Sequence, residues 1–182
     1  SQVDNLYVIV VKEDRSRFPY VERKAMIEAG CAGLDNVIVC EGSDYAVSAA
    51  TFPTYFLKQL DDATPTHIAL DLDLFVKHIA RPLGVTVRFA GSEPEDNLTH
   101  CYNEMMSEIL PAGGYNATSQ GNGIKFVEIP RLEQNGRPVS ATSLRKALDR
   151  GDLKAAMEFV PVSTVPYLIA ELAERSLRLS IR

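Results

Sequence analysis

The sequence predicts an α/β protein with three layers and a mostly parallel sheet. Short apolar runs rich in β-branched residues, such as residues 6–11 and 36–40, are typical of strands that are buried on both faces. These runs alternate with segments of helical spacing, and a strand–helix–strand unit of this length predicts parallel pairing. A chain of 182 residues is long enough for one domain with a sizeable core.

The predicted elements follow one another without an internal repeat, a low-complexity tract or an interdomain linker, so residues 1–182 are predicted to form a single domain. The predicted strands cover residues 6–11, 36–40, 66–70, 84–90 and 123–129. The predicted helices cover residues 21–34, 53–60, 71–83, 97–110, 140–148, 152–159 and 163–179, with a loop and a short helix over 41–52. Residues 111–122, rich in Gly, Asn, Ser and Thr, are expected to form a loop.

Composition and charge exclude several classes of protein. A net charge of −5 argues against a nucleic-acid binder, because phosphate contacts need a basic surface. No apolar run reaches the roughly 18 residues of a membrane span, and the first residues do not resemble a signal peptide. Cys31, Cys40 and Cys101 show no C-x-x-C spacing, and the first two are expected to be buried thiols of a reducing compartment. We therefore expect a soluble cytoplasmic protein.

The strongest candidate for a binding site is the stretch Val-Ser-Ala-Thr-Ser-Leu-Arg at residues 139–145. Ser140, Thr142 and Ser143 open a helical pattern, although one hydroxyl is enough for an N-cap. Arg145 follows in the first turn, where a cation is disfavoured unless an anion is bound nearby. Hydroxyls, free amides and a guanidinium together suit a phosphate group. The alternative is an ordinary N-cap with a solvated arginine.

Other polar residues also follow predicted strands. Lys12 comes after the first strand, and Arg88 with Gly91 and Glu93 lies at the end of the strand over residues 84–90. Ligands of parallel α/β folds bind outside the carboxyl ends of the strands. This shared position favours a phosphate site over a solitary helix cap.

Metal binding has weaker support in the sequence. His67, His78 and His100 do not have the spacing of metal ligands. Asp71 and Asp73 suit either a cation or the cap of a helix. We therefore predict no metal site formed by protein side chains alone.

Residues 139–145 resemble the ISSTxxR motif of the nucleotidyltransferase superfamily, with Ala141 in place of one hydroxyl. A closer resemblance, to the citrate lyase ligase family, covers nearly the whole chain. It rests on segments that occur in the family's order, namely residues 10–14, 18–20 with Arg23, 50–57, 88–94, 102–104 and 127–131. The resemblance implies a Rossmann-like fold of the HIGH superfamily.

The resemblance also implies a two-step reaction that uses Mg²⁺ and ATP. Acetate would attack the α-phosphate, giving acetyl-adenylate and pyrophosphate. The acetyl group would then pass to the thiol of the prosthetic group on the acyl-carrier (gamma) subunit of citrate lyase. Neither a nucleic acid nor a membrane is an implied partner.

The resemblance assigns roles to individual residues. Ser140, Thr142 and Arg145 would hold the phosphates, together with Ser143. Arg88 and Arg145 would be the catalytic cations, with Arg88 neutralising the charge that develops on the leaving pyrophosphate. Gly91 would let the nucleotide approach the backbone, Glu93 would bind the ribose or base, and Lys12 would meet phosphate or acetate.

The sequence departs from the superfamily pattern in one respect, because it contains no T/HxGH motif. The resemblance places that motif, its strand and an acetyltransferase-like domain before Ser1, so we expect this chain to be the C-terminal part of a larger protein. The absent strand would be central in the 3-2-1-4-5 order of the superfamily. We expect the remaining sheet either to close directly or to take an element from a neighbouring chain, and we expect weak ATP binding and slow turnover.

Two other functions are compatible with the sequence. One is a plain adenylyltransferase of the phosphopantetheine type, and the other is a non-catalytic module that docks the carrier subunit. The sequence does not predict the oligomeric state, so a homo-oligomer stays open.

Overall fold

The computed structural model describes residues 2–12, 16–43, 47–48, 51–53, 61–93, 96–114, 123–134 and 137–180. Its contacts divide the chain into two compact units. The first unit contains residues 1–10, 14–41 and 132–182, and the second contains residues 11–13 and 42–131.

The strands and helices alternate along most of the chain. The strands are β1 (Leu6–Val10), β2 (Val37–Glu41), β3 (Val87–Gly91), β4 (Lys125–Ile129), β5 (Glu133–Gln134) and β6 (Arg137–Pro138). The α-helices are α1 (Tyr20–Cys31), α2 (Thr64–Phe75), α3 (Asn97–Ala112), α4 (Ala141–Asp149), α5 (Leu153–Met157) and α6 (Val165–Ser180). A π-helical stretch, Val76–Ala80, continues α2, and a 3₁₀ turn, Val162–Thr164, precedes α6.

The first unit contains the predicted strand–helix–strand element. Strands β1 and β2 pair in parallel, from Leu6 opposite Val37 to Val10 opposite Glu41. Helix α1 begins directly after Pro19, a residue whose fixed φ suits a helix start. The prediction of a parallel pair joined by a helix is therefore confirmed.

Helices α4, α5 and α6 of the first unit enclose a small core. Ala147, Leu148, Ala156 and Leu168 are buried there, and Phe18 packs against them. Arg17, next to Phe18 in the chain, donates hydrogen bonds to Asp149 at 2.7 Å and to Glu171 at 2.8 Å. These ion pairs connect the segment before α1 to both α4 and α6.

The second unit holds the other parallel pair, β3 with β4. Its register runs from Val87 opposite Lys125 to Gly91 opposite Ile129. Helices α2 and α3 contribute much of the buried core, with Ile68, Leu72 and Met106 among its members. The expectation of an α/β protein with parallel strand pairing is thus confirmed in both units.

One predicted element is wrong. Residues 66–70 are not a strand but part of α2, in which Pro65 occupies the first turn and Ile68, Leu72 and Phe75 are buried. A short apolar run does not distinguish a buried strand from a buried helix by periodicity. The helix predicted over residues 71–83 is the continuation of α2 and the π-helical stretch.

The described strands form separate two-stranded sheets, β1–β2, β3–β4 and β5–β6. The expected direct closure of the sheet, like any join between the strands of the two units, stays a prediction. Recruitment of a strand from a neighbouring chain stays a prediction. The predicted helices over residues 41–60 fall mainly outside the described residues.

Two further sequence expectations can be compared with the described residues. Cys31 and Cys40 are free thiols, as expected, but each is half-buried rather than fully buried, and Cys101 is also a free, half-buried thiol. In the part of the chain that the structure describes, no helix is both long enough and apolar enough to span a membrane.

Candidate functional site

Arg88 of β3 has a guanidinium group that is held by an aromatic ring and a hydroxyl. Its Cζ lies 4.1 Å from the centre of the Phe75 ring, a distance at which a cation is attracted to the ring face. Its Nη2 donates a hydrogen bond to the Tyr102 hydroxyl at 3.1 Å. Its Nη1 is buried and has no hydrogen-bond partner in the described part of the chain. The side chain is therefore held in place while one of its donors is unused.

Asp71 is the buried acceptor behind this arginine. It is 1% exposed and lies within α2 rather than at a helix start, so the expectation of a helix cap is wrong. Its Oδ2 accepts the Tyr102 hydroxyl at 2.7 Å, and its Oδ1 accepts the Thr51 hydroxyl at 2.7 Å and the Val47 amide at 2.8 Å. A buried carboxylate is tolerated when such donors replace water.

The Tyr102 hydroxyl lies between Asp71 and Arg88 and keeps its proton at neutral pH. Burial raises the pKa of Tyr102 well above its ordinary value of 10.0, Arg88 lowers it in part, and Asp71 raises it further. The Tyr102 ring stacks on Phe52, with ring centres 5.4 Å apart and an angle of 18° between the planes. Sequence reasoning named Arg88 but missed Asp71 and Tyr102 as its neighbours.

Gly91 lies at the carboxyl end of the strand that carries Arg88. A Cβ placed on Gly91 would meet no heavy atom within 4 Å, so the backbone is open to a close approach. Its carbonyl accepts a hydrogen bond of 3.0 Å from Asn103, which also donates to Glu128 at 3.0 Å. Through these two hydrogen bonds Asn103, which is 4% exposed, joins the ends of β3 and β4.

Glu93 forms an ion pair with Arg131. The Arg131 amide also donates to the Ser92 hydroxyl at 3.1 Å, and the Ser92 amide donates to the Ile129 carbonyl at 2.8 Å. These contacts fix the segment that follows β3. The carboxylate predicted to meet a ribose or base is thus engaged through Oε2 with a neighbouring arginine.

Ser140 is the N-cap of α4, as predicted. Its hydroxyl oxygen accepts the Ser143 amide at 3.1 Å and lies 3.0 Å from the Ser143 hydroxyl. The exposed Thr142 hydroxyl accepts a hydrogen bond of 3.3 Å from Nη2 of Arg145. The predicted hydroxyls and the guanidinium therefore lie together at the first turn of one helix.

The predicted site residues fall into two groups. Lys12, which is exposed, belongs to the second unit with Arg88, Gly91 and Glu93. The residues of the α4 turn belong to the first unit. Arg88 and Gly91 lie on one strand and Glu93 follows it, whereas the approach of Lys12 to them and the meeting of the two groups stay predictions.

Within the described ranges, no group of three or more His, Cys, Asp or Glu side chains could hold a metal ion. The exposed His100 lies 3.4 Å from Glu104 of the same helix, and Asp73 pairs with Lys77 at 2.5 Å. A divalent cation bound to a nucleotide would need few protein ligands, because Mg²⁺ is held largely by substrate phosphates and water.

The chain is similar to known proteins over almost its entire length. The profile of a family described as citrate lyase ligase C-terminal domain matches residues 1–168. A citrate (pro-3S)-lyase ligase of Klebsiella pneumoniae is 41% identical over 174 residues, which cover 96% of this chain and 49% of that protein. The corresponding ligases of Haemophilus influenzae and Escherichia coli are 40% and 39% identical over 92% of this chain. The chain spans about half the length of these curated relatives, and no solved structure matches it significantly.

Proposed function

The chain belongs to the citrate lyase ligase C-terminal domain family, and we propose that it is the nucleotide-binding part of an adenylate-forming ligase with a nucleotidyltransferase fold. Its substrates would be Mg-ATP, acetate and the thiol of the prosthetic group on the citrate lyase acyl-carrier subunit. This proposal assigns the reaction to the cytoplasm. The observation that carries it is Arg88, a cation held in place with a buried donor that lacks a partner among the described residues.

The proposed reaction has two steps. In the first, an acetate oxygen forms a bond to the α-phosphorus of ATP, and the bond between the α-phosphorus and the bridging oxygen breaks, releasing pyrophosphate. In the second, the carrier thiolate forms a thioester with the acetyl carbon, and AMP leaves. Mg²⁺ would neutralise phosphate charge when it is bound with the nucleotide.

Arg88 is the residue we assign to the leaving pyrophosphate. Negative charge grows on that group as its bond to the α-phosphorus breaks, and a fixed cation stabilises such charge without reorganising. The contact with Phe75 and the hydrogen bond to Tyr102 supply this fixation. Nη1 is buried and has no partner in the part of the chain that the structure describes. Such a donor suits an oxyanion, because an unsatisfied charged donor is costly.

The first turn of α4 is the second phosphate-binding element of the proposal. Backbone amides at a helix start point towards an anion, and the helix dipole favours negative charge there. Thr142 and Ser143 supply hydroxyls beside the Ser140 cap, and Arg145 is in contact with Thr142. The helix start has only a partial positive charge, and the guanidinium of Arg145 adds a full positive charge.

The remaining residues would bind the rest of the substrates. Gly91 would allow the nucleotide to lie against the backbone, since the space at its Cβ position is open. Arg131 binds Oε2 of Glu93, so Oε1 is the oxygen we assign to the ribose or base. Lys12, exposed after β1, would bind phosphate or acetate.

Exchange of labelled pyrophosphate into ATP tests this proposal. We expect exchange that depends on acetate and that Arg88→Ala lowers at least about tenfold, because a charge-assisted hydrogen bond is lost. We also expect the 182-residue chain to bind ATP more weakly and turn over more slowly than the longer relatives, since it lacks the T/HxGH histidine motif. Exchange as fast as that of a complete ligase would contradict the last expectation.

The exchange measurement separates one of the other two functions, and a binding measurement with thermal shift separates the second. Exchange that depends on a phosphopantetheine compound rather than acetate would indicate an adenylyltransferase. Binding of the acyl-carrier subunit without any thermal shift by Mg-ATP would indicate a non-catalytic docking module. Either result would refute the ligase proposal.

A further inference from the structure

We infer that Tyr102 and Asp71 are positioning residues for Arg88, holding its guanidinium so that Nη1 faces the oxyanion of the substrate. The inference rests on the proposed function and extends it to two residues that do not themselves touch the nucleotide. The three side chains form one continuous path, from Arg88 Nη2 to the Tyr102 hydroxyl at 3.1 Å and from that hydroxyl to Asp71 Oδ2 at 2.7 Å.

The chemistry of the three groups fixes the direction of both hydrogen bonds. A guanidinium only donates hydrogen bonds, and an ionised carboxylate only accepts them. The single proton of the Tyr102 hydroxyl therefore points to Asp71, and its oxygen faces Arg88. Hydrogen bonds in such a chain polarise one another, so the negative charge of Asp71 strengthens the acceptor that meets Arg88.

Asp71 is in turn fixed by donors from a different segment. The Thr51 hydroxyl and the Val47 amide both bind its Oδ1. Val47 has a φ of +47°, a left-handed backbone conformation that is strained for a β-branched residue and persists only where surrounding contacts hold it. The Asp71 carboxylate is therefore held in one orientation, and Arg88 is oriented relative to it through the Tyr102 hydroxyl.

Packing restrains the remaining freedom of the path. Phe52 stacks on the Tyr102 ring, and Phe75 lies under the Arg88 guanidinium. Rotation of either polar group would disrupt an aromatic contact. With Nη2 committed to Tyr102 and the plane of the guanidinium set by Phe75, the direction of Nη1 follows. Nη1 is also a buried atom without a hydrogen-bond partner in the described ranges, which is what a donor reserved for a ligand would show.

A purely structural hydrogen-bond network would have the same geometry, so the test must separate stability from anion binding. Tyr102→Phe removes the hydroxyl and keeps the ring. Thr51→Val is a matched control, because it removes the other side-chain donor to Asp71, at the same distance of 2.7 Å. In this variant the Val47 amide still holds Oδ1 of Asp71, and the hydrogen bond between Tyr102 and Arg88 is untouched. Both variants are expected to lower the melting temperature.

The decisive measurement is the affinity for inorganic pyrophosphate, from an NMR titration that detects weak binding. We expect Tyr102→Phe to weaken binding about tenfold, because the Arg88 side chain must then be ordered when the anion binds, and we expect Thr51→Val to change the affinity less than about twofold. In an Arg88→Ala background, Tyr102→Phe should have no further effect, because its action passes through Arg88. Asp71→Asn keeps the shape of the side chain and removes its charge, and it should also weaken pyrophosphate binding. This variant replaces Tyr102→Phe in the test if Tyr102→Phe does not fold.

Equal effects of Tyr102→Phe and Thr51→Val on pyrophosphate affinity would overturn the inference, as would an undiminished effect of Tyr102→Phe in the Arg88→Ala background. If Arg88→Ala weakens pyrophosphate binding while Tyr102→Phe and Asp71→Asn do not, the proposed function survives and the positioning role is refuted. If the unsubstituted protein binds no pyrophosphate, the proposed function is refuted and the positioning role with it.

Discussion

Ser140 serves both the fold and the proposed function, and substitutions can separate the two. Ser140→Ala removes the oxygen that accepts the Ser143 amide at 3.1 Å. Loss of an N-cap costs about 1 kcal/mol, which corresponds to a fall of roughly 2–4 °C in the melting temperature of a chain of this size. Ser140→Asp should keep the stability of the native protein, because aspartate caps as well as serine and suits the positive end of the helix dipole.

The two substitutions should change different properties. Ser140→Ala should lower the melting temperature, whereas Ser140→Asp should lower the affinity for Mg-ATP. Ser140→Asp places a carboxylate where a phosphate is proposed to sit, and like-charge contacts cost several kcal/mol, so we expect Mg-ATP affinity to fall at least about tenfold. Differential scanning fluorimetry gives the melting temperature, and a calorimetric titration gives the affinity. Asp152→Ala is the matched control, because Asp152 caps α5 by accepting the Ala155 amide at 3.0 Å and has no proposed ligand. It should lower the melting temperature and leave the affinity unchanged. Native-like affinity in Ser140→Asp would show that phosphate does not bind at the start of α4.

Two further predictions concern the fold. Gly123→Ala should lower the free energy of unfolding by about 1–3 kcal/mol, because the added Cβ would overlap the backbone of Pro111. Gly33→Ala, whose Cβ would meet no atom within 4 Å, should be close to neutral, and equal effects in urea denaturation would contradict the steric explanation. The hydrogen bond from Arg17 lowers the pKa of Asp149 below its ordinary value of 3.8, so the stability it adds is present above pH 3.8 and is lost as the pH falls through the lowered pKa. Asp149→Asn should therefore be less stable at neutral pH and lose less of its remaining stability on acidification. An unchanged dependence of the urea midpoint on pH would contradict this role.

Local sequence patterns predicted many elements of the fold but did not predict how the strands group. The parallel pairing of β1 with β2 follows from two β-branched runs joined by one helix, and the start of α4 follows from the Ser140 cap. The error at residues 66–70 has a local cause, since a short run with three apolar residues, Ile68, Ala69 and Leu70, fits a strand and a helix equally well. Pro65 in the first turn of α2 was the signal that favours a helix. Separate strand pairs depend on contacts between distant residues, which periodicity does not reveal.

Site residues could be predicted where they lie near the end of a strand or helix. They could not be predicted where their role depends on being buried. Arg88 was predicted because it lies near the end of a strand. Asp71 was interpreted as a cation ligand or a helix cap because two acidic residues flank one apolar residue there, yet it is 1% exposed and accepts its hydrogen bonds within the core. Tyr102 and Thr51 reach it from other segments of the chain, and no spacing in the sequence relates them to one another.

The shared use of Asp71 has a consequence for how this domain can diverge. Loss of its carboxylate would leave three donors without an acceptor at once, at Val47, Thr51 and Tyr102. A lineage that exchanges Asp71 therefore needs compensating substitutions in two other segments before it regains fitness. Tyr102 is the donor nearest to Arg88, so its identity should change together with that of Asp71 among homologues. We expect residues 71 and 102 to evolve as a pair, while the exposed position of Thr142 drifts independently.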